Sequence, residues 1–406
     1  MRKILLIISI LFFSLNSCVI QDGFDLLPPG NYRATIDMQG KKLPFNFEVI
    51  CTKTHCQTFN IIIKNAEEKI EVNDIEQKGD SIILKMPLYN SEIRAKVSKG
   101  ILDGWFIDYN KKEPYKLLFH ADYGLQYRFY NEIEQNPINI AGKWEVFFEN
   151  DSSKAIGIFK QNGNIITGTF ATETGDLRYL EGMVVRNEMY LSCFDGTHTY
   201  LFNATYNNNA LNGIFYYNKT KNTKWQAKRN EKAELRSAFS LTKIKNESQF
   251  TLNKNEVLGK NINLDNQDYK NKIIVLQILG SWCPNCIDES KYINEIYNKN
   301  NNVKYVGIAF ERNEDTIKSN TALLKTIHNL NLKYPIINSG KTSKDVLSFF
   351  PSLENFMSFP TTLYLDKNHI IRYIHTGYYG PATGEYFEKF KAEHSNILKN
   401  LEKENF

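Results

Sequence analysis

Along residues 31–228 apolar side chains recur at every second position in short runs, and turn-forming residues break the runs every 8 to 12 positions. A period of two buries one face of an extended strand, so this stretch predicts an antiparallel all-β region. Ile82, Leu84, Met86 and Leu88 form one such run, and Tyr200, Phe202, Ala204 and Tyr206 form another. Asn162-Gly163 lies between two apolar stretches and suits a tight hairpin turn. The pattern also repeats itself at a separation of about 110 residues: Gly30-Asn31-Tyr32 is answered by Gly142-Lys143-Trp144, and Leu102-Asp103-Gly104-Trp105-Phe106 by Leu211-Asn212-Gly213-Ile214-Phe215. Two copies of one β-module, over residues 30–130 and 140–230, are expected. Each copy offers roughly eight strand-like segments, enough for a meander barrel or a sandwich. The glycine inside these pieces, present again in Ile166-Thr167-Gly168-Thr169-Phe170, predicts sheet curvature or close backbone approach. A barrel of that size encloses either packed side chains or one small ligand, and the packed core is the simpler expectation.

After Lys228 the pattern changes. Residues 231–249 are charged with scattered leucines and read as a linker. Ile273 to Leu279 and Val303 to Phe310 are then near-continuous apolar runs, while Asp315 to Leu330 and Glu385 to Leu401 carry helical spacing. Buried strands alternating with helices indicate a sheet covered on both faces, here over residues 250–406. The expected fold is therefore multidomain: tandem antiparallel β-modules followed by an α/β domain.

With 406 residues, 42% of them hydrophobic and 23% charged, the chain can build several cores, which excludes wholesale disorder and a polytopic membrane protein. The net charge of +5 is spread thinly and makes no case for a nucleic-acid partner.

The first residues set the compartment. Met1-Arg2-Lys3 and the run from Ile4 to Phe13, apolar except for Ser9, have the form of a secretory signal peptide over residues 1–17. Leu15-Asn16-Ser17-Cys18 resembles a bacterial lipobox, which makes Cys18 a lipidation site and residues 18–29 a tether. A periplasm-facing lipoprotein anchored to an envelope membrane through Cys18 is the expected form. Ser14, Asn16 and Ser17 interrupt the run before it reaches the roughly 20 apolar residues of a membrane span. Export to an oxidising space favours disulfides. Cys51 and Cys56, separated by four residues, can face each other across a hairpin as a structural disulfide. A Cys51/His55/Cys56 metal site lacks a fourth ligand nearby, so no metal is expected. Cys193 has no sequence partner and reads as a buried hydrophobe.

The chemistry lies in Trp282-Cys283-Pro284-Asn285-Cys286, which follows the buried run Ile273 to Leu279 and opens a helical segment, Asp288 to Tyr297. That context makes Cys-x-x-Cys a redox motif, and no second pair follows to complete a zinc site. A cysteine at a helix start meets free backbone N–H groups and the positive end of the dipole. Lowering a thiol from about 8.5 to about 7 requires about 2 kcal/mol, whereas the dipole typically supplies ~0.3–1. A second contribution is needed, and the thiol of Cys286 can give it as a hydrogen-bond donor. Cys283 is then the attacking sulfur and Cys286 the resolving one.

Downstream, Ser358-Phe359-Pro360-Thr361-Thr362 leads into Leu363-Tyr364-Leu365, and Gly377 follows the next strand. With Trp-Cys-x-x-Cys, these features resemble thioredoxin-fold domains of the TlpA/ResA type, exported membrane-tethered thiol-disulfide oxidoreductases. The resemblance implies that Pro360 is a cis-proline set against the two cysteines and leaves the backbone of Phe359 free to pair with a client segment. It implies a shielding role for Trp282 beside the disulfide and makes Trp282, Phe359 and Thr361 the substrate-binding residues. Glu289 matches an acid that tunes the thiols in the family. On its own, Glu289 reads equally well as a solvated helix residue. Gly377-Tyr378-Tyr379-Gly380-Pro381 borders the same groove or is a plain strand-to-helix loop. Two positions depart from the pattern: Gln277 stands where thioredoxins place a buried aspartate, so the proton route must use Glu289 or water, and Lys291 replaces a helix-kinking proline.

The function implied is that of an exported thiol-disulfide oxidoreductase that reduces protein disulfides, with disulfide-containing client proteins and a membrane-bound thiol electron donor as partners and no cofactor. A peroxidase on the same fold is disfavoured by Gly280, which stands where its threonine belongs. A binding lipoprotein whose β-modules do the work is the reading of a different class, and a spacer is the simplest role for those modules in the enzyme.

Overall fold

The computed structural model describes residues 27–51, 59–111, 115–131, 135–149 and 151–404. The expected signal peptide, Cys18 and Cys56 lie outside the described residues, and Cys51 ends the strand Lys41–Cys51.

The first β-region is a nine-stranded antiparallel meander from Gly30–Met38 to Tyr115–Tyr123. Its first and last strands pair with each other. The two sheet edges, Glu68–Val72 and Asp74–Lys78, are consecutive in the chain with Asn73 alone between them, so the ring is joined there by the backbone itself. In the second region Ala155–Asn162 pairs with both Gly142–Phe148 and Ile165–Thr172, and Gly142–Phe148 pairs with Asn222–Arg229, which closes a ring through the ladder. Both are barrels, which settles the choice between barrel and sandwich. In the second, closure through the ladder removes the exposed edges that an open meander would present.

The interiors are packed with side chains. Phe45, Phe47 and Phe106 fill the first barrel, and Trp144, Phe170, Phe202 and Trp225 the second, all fully buried. Each such burial contributes about 1.5–3 kcal/mol of transfer free energy. The repeat seen in sequence has a physical counterpart: Tyr32 donates its hydroxyl to the carbonyl of Pro28 at 2.9 Å, and Trp144 donates its indole N–H to that of Ile140 at 2.8 Å. Each ring pins the chain where it enters its barrel. At Gly104 and Gly213 a Cβ would lie 1.9 Å from the carbonyl oxygens of Arg94 and Asn203, so close strand approach is what these glycines permit. The hairpin expected at Asn162-Gly163 is shifted by one residue: Asn162 pairs with Ile165, leaving Gly163, at φ 57°, and Asn164 as the turn.

Residues 250–404 form a five-stranded sheet in the order Ile336–Lys341, Val303–Glu311, Ile273–Leu279, Thr361–Leu365, Ile371–Thr376. The first three strands are parallel and the last two antiparallel. In the central strand all seven residues are buried and alternate between two cores. Ile273, Val275 and Leu279 face the helices Pro284–Ile296, Thr316–Leu330 and Glu385–Lys403, while Ile274, Leu276 and Ile278 face the helix Thr342–Phe349 and the 250–264 segment. This is a thioredoxin-like arrangement. Part of the stretch read as a linker belongs to it, because its few apolar residues find partners. Lys243–Ile244 pairs with Leu353–Glu354, Phe239 packs edge-on against His375, and Thr376 donates to the hydroxyl of Thr242 at 2.8 Å.

The three units pack on one another. The ring of Phe194 of the second barrel packs tilted with its centroid 4.5 Å from that of Phe45 of the first, and the buried Arg128 donates to Ser192, Asn65 and the carbonyl of Lys64. The first barrel meets the third unit where Lys325 donates to the carbonyls of Met86 and Tyr89.

Candidate redox site

The buried central strand ends at Leu279 and delivers a short loop whose shape is fixed by the carboxylate of Glu311, which accepts from both the backbone N–H and the hydroxyl of Ser281 at 2.7 Å. Trp282 donates to the carbonyl of Phe310 at 3.0 Å, lies edge-on to Phe359, and carries the Arg312 guanidinium 3.8 Å over its ring. Cys283 then caps the helix Pro284–Ile296 in an extended conformation. Pro284 suits the first helical turn, where its missing N–H leaves nothing unsatisfied. Cys283 and Cys286 are joined as a disulfide with their Cα atoms 5.2 Å apart, and the N–H of Cys286 points at Cys283 Sγ from 3.3 Å. Cys283 retains 4% exposure and Cys286 none, so the outer sulfur is the one a visitor can meet.

The loop of Pro360 faces this disulfide. The Phe359–Pro360 peptide is cis, the carbonyl of Pro360 accepts from Gly377 at 2.8 Å, and Phe359 packs between Trp282 and Phe356. Thr361, expected to contact substrate, is fully buried, and its hydroxyl donates to the carbonyl of Ser358 at 2.7 Å. Its place at the head of an interior strand turns its side chain inward, where it shapes the loop.

Behind the disulfide lies a buried carboxylate. Glu289 is 1% exposed, which removes the reading of a solvated helix residue. It accepts from the amide of Gln277 at 2.8 Å and from the hydroxyl of Thr362 at 2.6 Å. Gln277 also donates to the carbonyl of Cys286 at 3.2 Å, and its own oxygen accepts from Tyr334 and Ser290. Burial pushes the Glu289 carboxyl up to about 7, against the two hydrogen bonds that favour its charged form. The acid absent from position 277 is thus present on the helix, held by the residue that replaced it. At that pKa it can both release and accept a proton near neutrality.

What covers the site is not marked by any motif or periodicity. Residues 172–178, a hairpin of the second barrel, dock beside the cysteines. Gly175 bridges Tyr378 as in a parallel ladder, Gly380 N–H donates to the Asp176 carboxylate at 2.6 Å, and Asn285, inside the Cys-x-x-Cys motif, reaches the carbonyl of Asp176 at 3.5 Å. The Gly377 to Pro381 segment is therefore a docking seam. Next to it Arg178 is buried among Asp288 of the redox helix, Glu68 of the first barrel and Asp195 of the second. Burial works against its charge, and Asp288 and Glu68 more than offset that. One residue thereby ties all three units together next to the disulfide. The seam leaves a cleft of about 350 Å³ with Trp282, Cys283, Ser358 and Phe359 on one side and Tyr89, His198 and Tyr200 on the other. A Thr-Glu-Thr-Gly-Asp turn reads as an ordinary surface hairpin, and no periodicity marks Arg178 or His198 as site residues.

Among the described residues no group of three or more His, Cys, Asp or Glu side chains could hold a metal ion, and no helix is long and apolar enough to cross a membrane.

Residues 244–388 match the Redoxin family. A thiol:disulfide interchange protein DsbE of Vibrio cholerae is 26% identical over 113 residues, 28% of this chain and 54% of that protein. The chain thus spans about half the length of the curated relative it matches. Among solved structures, a DsbF homologue from Corynebacterium diphtheriae is 18% identical, with 38% of this chain and 93% of that chain covered and a TM-score of 0.29. A thiol-disulfide oxidoreductase from Bacteroides fragilis is 19% identical, with 36% and 99% covered and a TM-score of 0.26. The matched segment is similar to Redoxin-family domains and to the DsbE protein, and the two barrels lie largely outside it.

Proposed function

We propose that this chain is an exported thiol-disulfide oxidoreductase, held at an envelope membrane through Cys18, that reduces disulfides of client proteins with electrons from a membrane-bound thiol donor. The observation that carries the reading is the Cys283–Cys286 pair at a helix N-terminus, Cys283 lining a cleft and Cys286 fully buried, its carbonyl linked through Gln277 to a carboxyl that burial pushes up to about 7. In the reduced state the Cys283 thiolate attacks one sulfur of a client disulfide, forming a mixed disulfide and releasing the first client thiol. Cys286 then loses its proton to Glu289 and attacks Cys283 Sγ, which releases the second client thiol and restores the enzyme disulfide. Pro360 and Phe359 hold the client strand, and Trp282 covers the outer sulfur. Reduction is the favoured direction. A strong oxidant needs an over-stabilised thiolate, and a buried carboxylate behind the pair opposes that charge.

The test uses the chain from residue 19 onward, a disulfide-bonded client and a thiol reductant. Reduction is expected to vanish in Cys283→Ala and to stall as a covalent client adduct in Cys286→Ala. Equal activity of wild type and Cys283→Ala rejects the proposal, and peroxide consumption dependent on Cys283 alone replaces it with a peroxidase.

A further inference from the structure

The wall of the cleft opposite Cys283 carries a residue that no thioredoxin-like domain could supply by itself. His198, on the second barrel between the strands Glu188–Phe194 and Thr199–Asn207, lines the same cleft as Cys283. Its Nδ1 is hydrogen-bonded at 2.9 Å to the carboxylate of Asp195, which also accepts from the backbone N–H groups of His198 and Thr197. Asp195 is 3% exposed and its carboxyl is held well below the usual range. Burial opposes that charge, and His198 and Arg178 outweigh it. A buried, ionised carboxylate on Nδ1 fixes the ring's orientation and leaves Nε2, which has no hydrogen-bond partner among the described residues, as the free end. The Tyr200 and Tyr89 rings, 4.9 and 6.3 Å away, hold the imidazole in place. The residue types that activate a nucleophilic sulfur thus share one cleft, with the cysteine on one unit and the His198–Asp195 dyad on another.

We infer that His198 is a catalytic residue of the redox reaction, its Nε2–H pairing with the Cys283 thiolate and donating a proton to the sulfur that leaves the client. The inference rests on the oxidoreductase reading and adds an acid to it. The proposed cycle starts from the reduced pair with a proton held between Cys283 Sγ and His198 Nε2, a thiol at Cys286 and Glu289 free to accept a proton. Attack forms the Cys283–client S–S bond and breaks the client's own, and the departing thiolate takes the proton from His198 Nε2. In the second half Cys286 gives its proton to Glu289, its thiolate closes the enzyme disulfide, and the second client thiolate takes the proton from Glu289. Two electrons and two protons pass to the client, leaving a neutral His198 that is reprotonated when a thiol donor reduces the pair. The barrel is then part of the active site, and the cleft admits a thin, extended client segment between the two walls.

Other titratable and charged groups border the same cleft or its seam: Glu289 behind the pair, Arg312 and Lys111 at the rim with Asp108 near both, and Asp176, Asp195 and Arg178 along the seam, with Tyr89 and Tyr200 facing the ring. The experiment must separate His198 from these. The reduced chain from residue 19 onward is alkylated with iodoacetamide across a pH series, with Cys283 modification read by peptide mass. His198→Gln is expected to move the midpoint of the rate profile up by about one pH unit, which lowers the rate below the midpoint about tenfold. His198→Lys, which restores a cation, is expected to return the midpoint toward that of wild type, and Glu289→Gln to move it down. A midpoint unchanged in His198→Gln overturns the inference even if wild type reduces a client, and so does an upward shift that His198→Lys leaves in full, since that marks a structural effect. If wild type neither alkylates at Cys283 nor reduces a disulfide, the oxidoreductase reading itself has failed.

Discussion

The side-chain amide of Gln277 donates to the carboxylate of Glu289 at 2.8 Å and to the carbonyl of Cys286 at 3.2 Å, so one glutamine links the buried acid to the inner cysteine. Glu289 lies one helical turn beyond Cys286, where it can take the proton that Cys286 must lose before it attacks. Replacing Glu289 by Gln removes the acceptor and keeps the volume. The resolving step should slow by about a hundredfold or more, while formation of the mixed disulfide proceeds. Acid-quenched time points resolved on non-reducing gels will show the client adduct accumulating. A variant that resolves its adduct as fast as wild type rules out Glu289 as the proton acceptor.

Glu289 also costs stability. Its folded pKa, about 7, stands above its unfolded value of 4.5, so the folded state holds the extra proton between these limits and stability declines as pH rises through that window. At 1.36 kcal/mol per unit the ceiling is about 3 kcal/mol. Glu289→Gln carries no such charge and should be more stable than wild type above about pH 7, with the gap closing below about pH 5. Urea midpoints at the two ends measure it, and a gap that widens on acidification contradicts the assignment.

Two buried histidines act in the opposite sense. Burial presses His375 and His394 down to about 4 from 6.5, and the rings stay neutral in place, His394 hydrogen-bonded between the hydroxyls of Tyr305 and Tyr364. The unfolded chain takes up these protons first, so the stability they carry is present above about pH 6.5 and is lost as pH falls toward 4. Asp176, raised to about 6 by burial, and Glu289 gain stability over much of the same range. Wild type should therefore show a shallow profile from about pH 4.5 to 6, and Glu289→Gln should slope downward on acidification because half of the compensation is gone. Thermal midpoints in matched buffers decide it, and parallel profiles for the two proteins contradict the balance.

The β-modules, the interior strand Ile273–Leu279 and the Cys-x-x-Cys helix were legible because each follows from a local period or a helix-start signal. Glu289 was half legible: its spacing from Cys286 was visible, but its burial depends on Gln277, Thr362 and the sheet beneath them. The inward turn of the Thr361 side chain was not legible, because it follows from strand pairing with Ile278 and Thr376. The seam was invisible. Thr174, Asp176 and Arg178 come from one barrel and meet Gly377, Asn285 and Asp288 more than a hundred residues away (Arg178 and Asp288 are 110 apart), and no single-chain pattern encodes which loop of a barrel docks on which helix.

Gly377 offers a way to open that seam without touching the cysteines. Its φ is 83°, and a Cβ there would fall 2.5 Å from the carbonyl oxygen of Thr174, a backbone atom that can retreat only if the 172–178 hairpin moves. Gly377→Ala therefore combines an unfavourable left-handed conformation, about 1 kcal/mol or more, with a collision at the docking contact. The five-stranded sheet is built from strands that end before this residue, so the redox unit should keep its fold while the hairpin lifts away. Arg178 would then lose its hold on Asp288, leaving the redox helix free of the barrels. The expected results are a larger radius of gyration by small-angle scattering, faster proteolysis near residues 172–178, and quicker entry of bulky thiol reagents to Cys283. If Gly377→Ala scatters and alkylates like wild type, the hairpin does not close the site, and the cleft as a client gate must be abandoned.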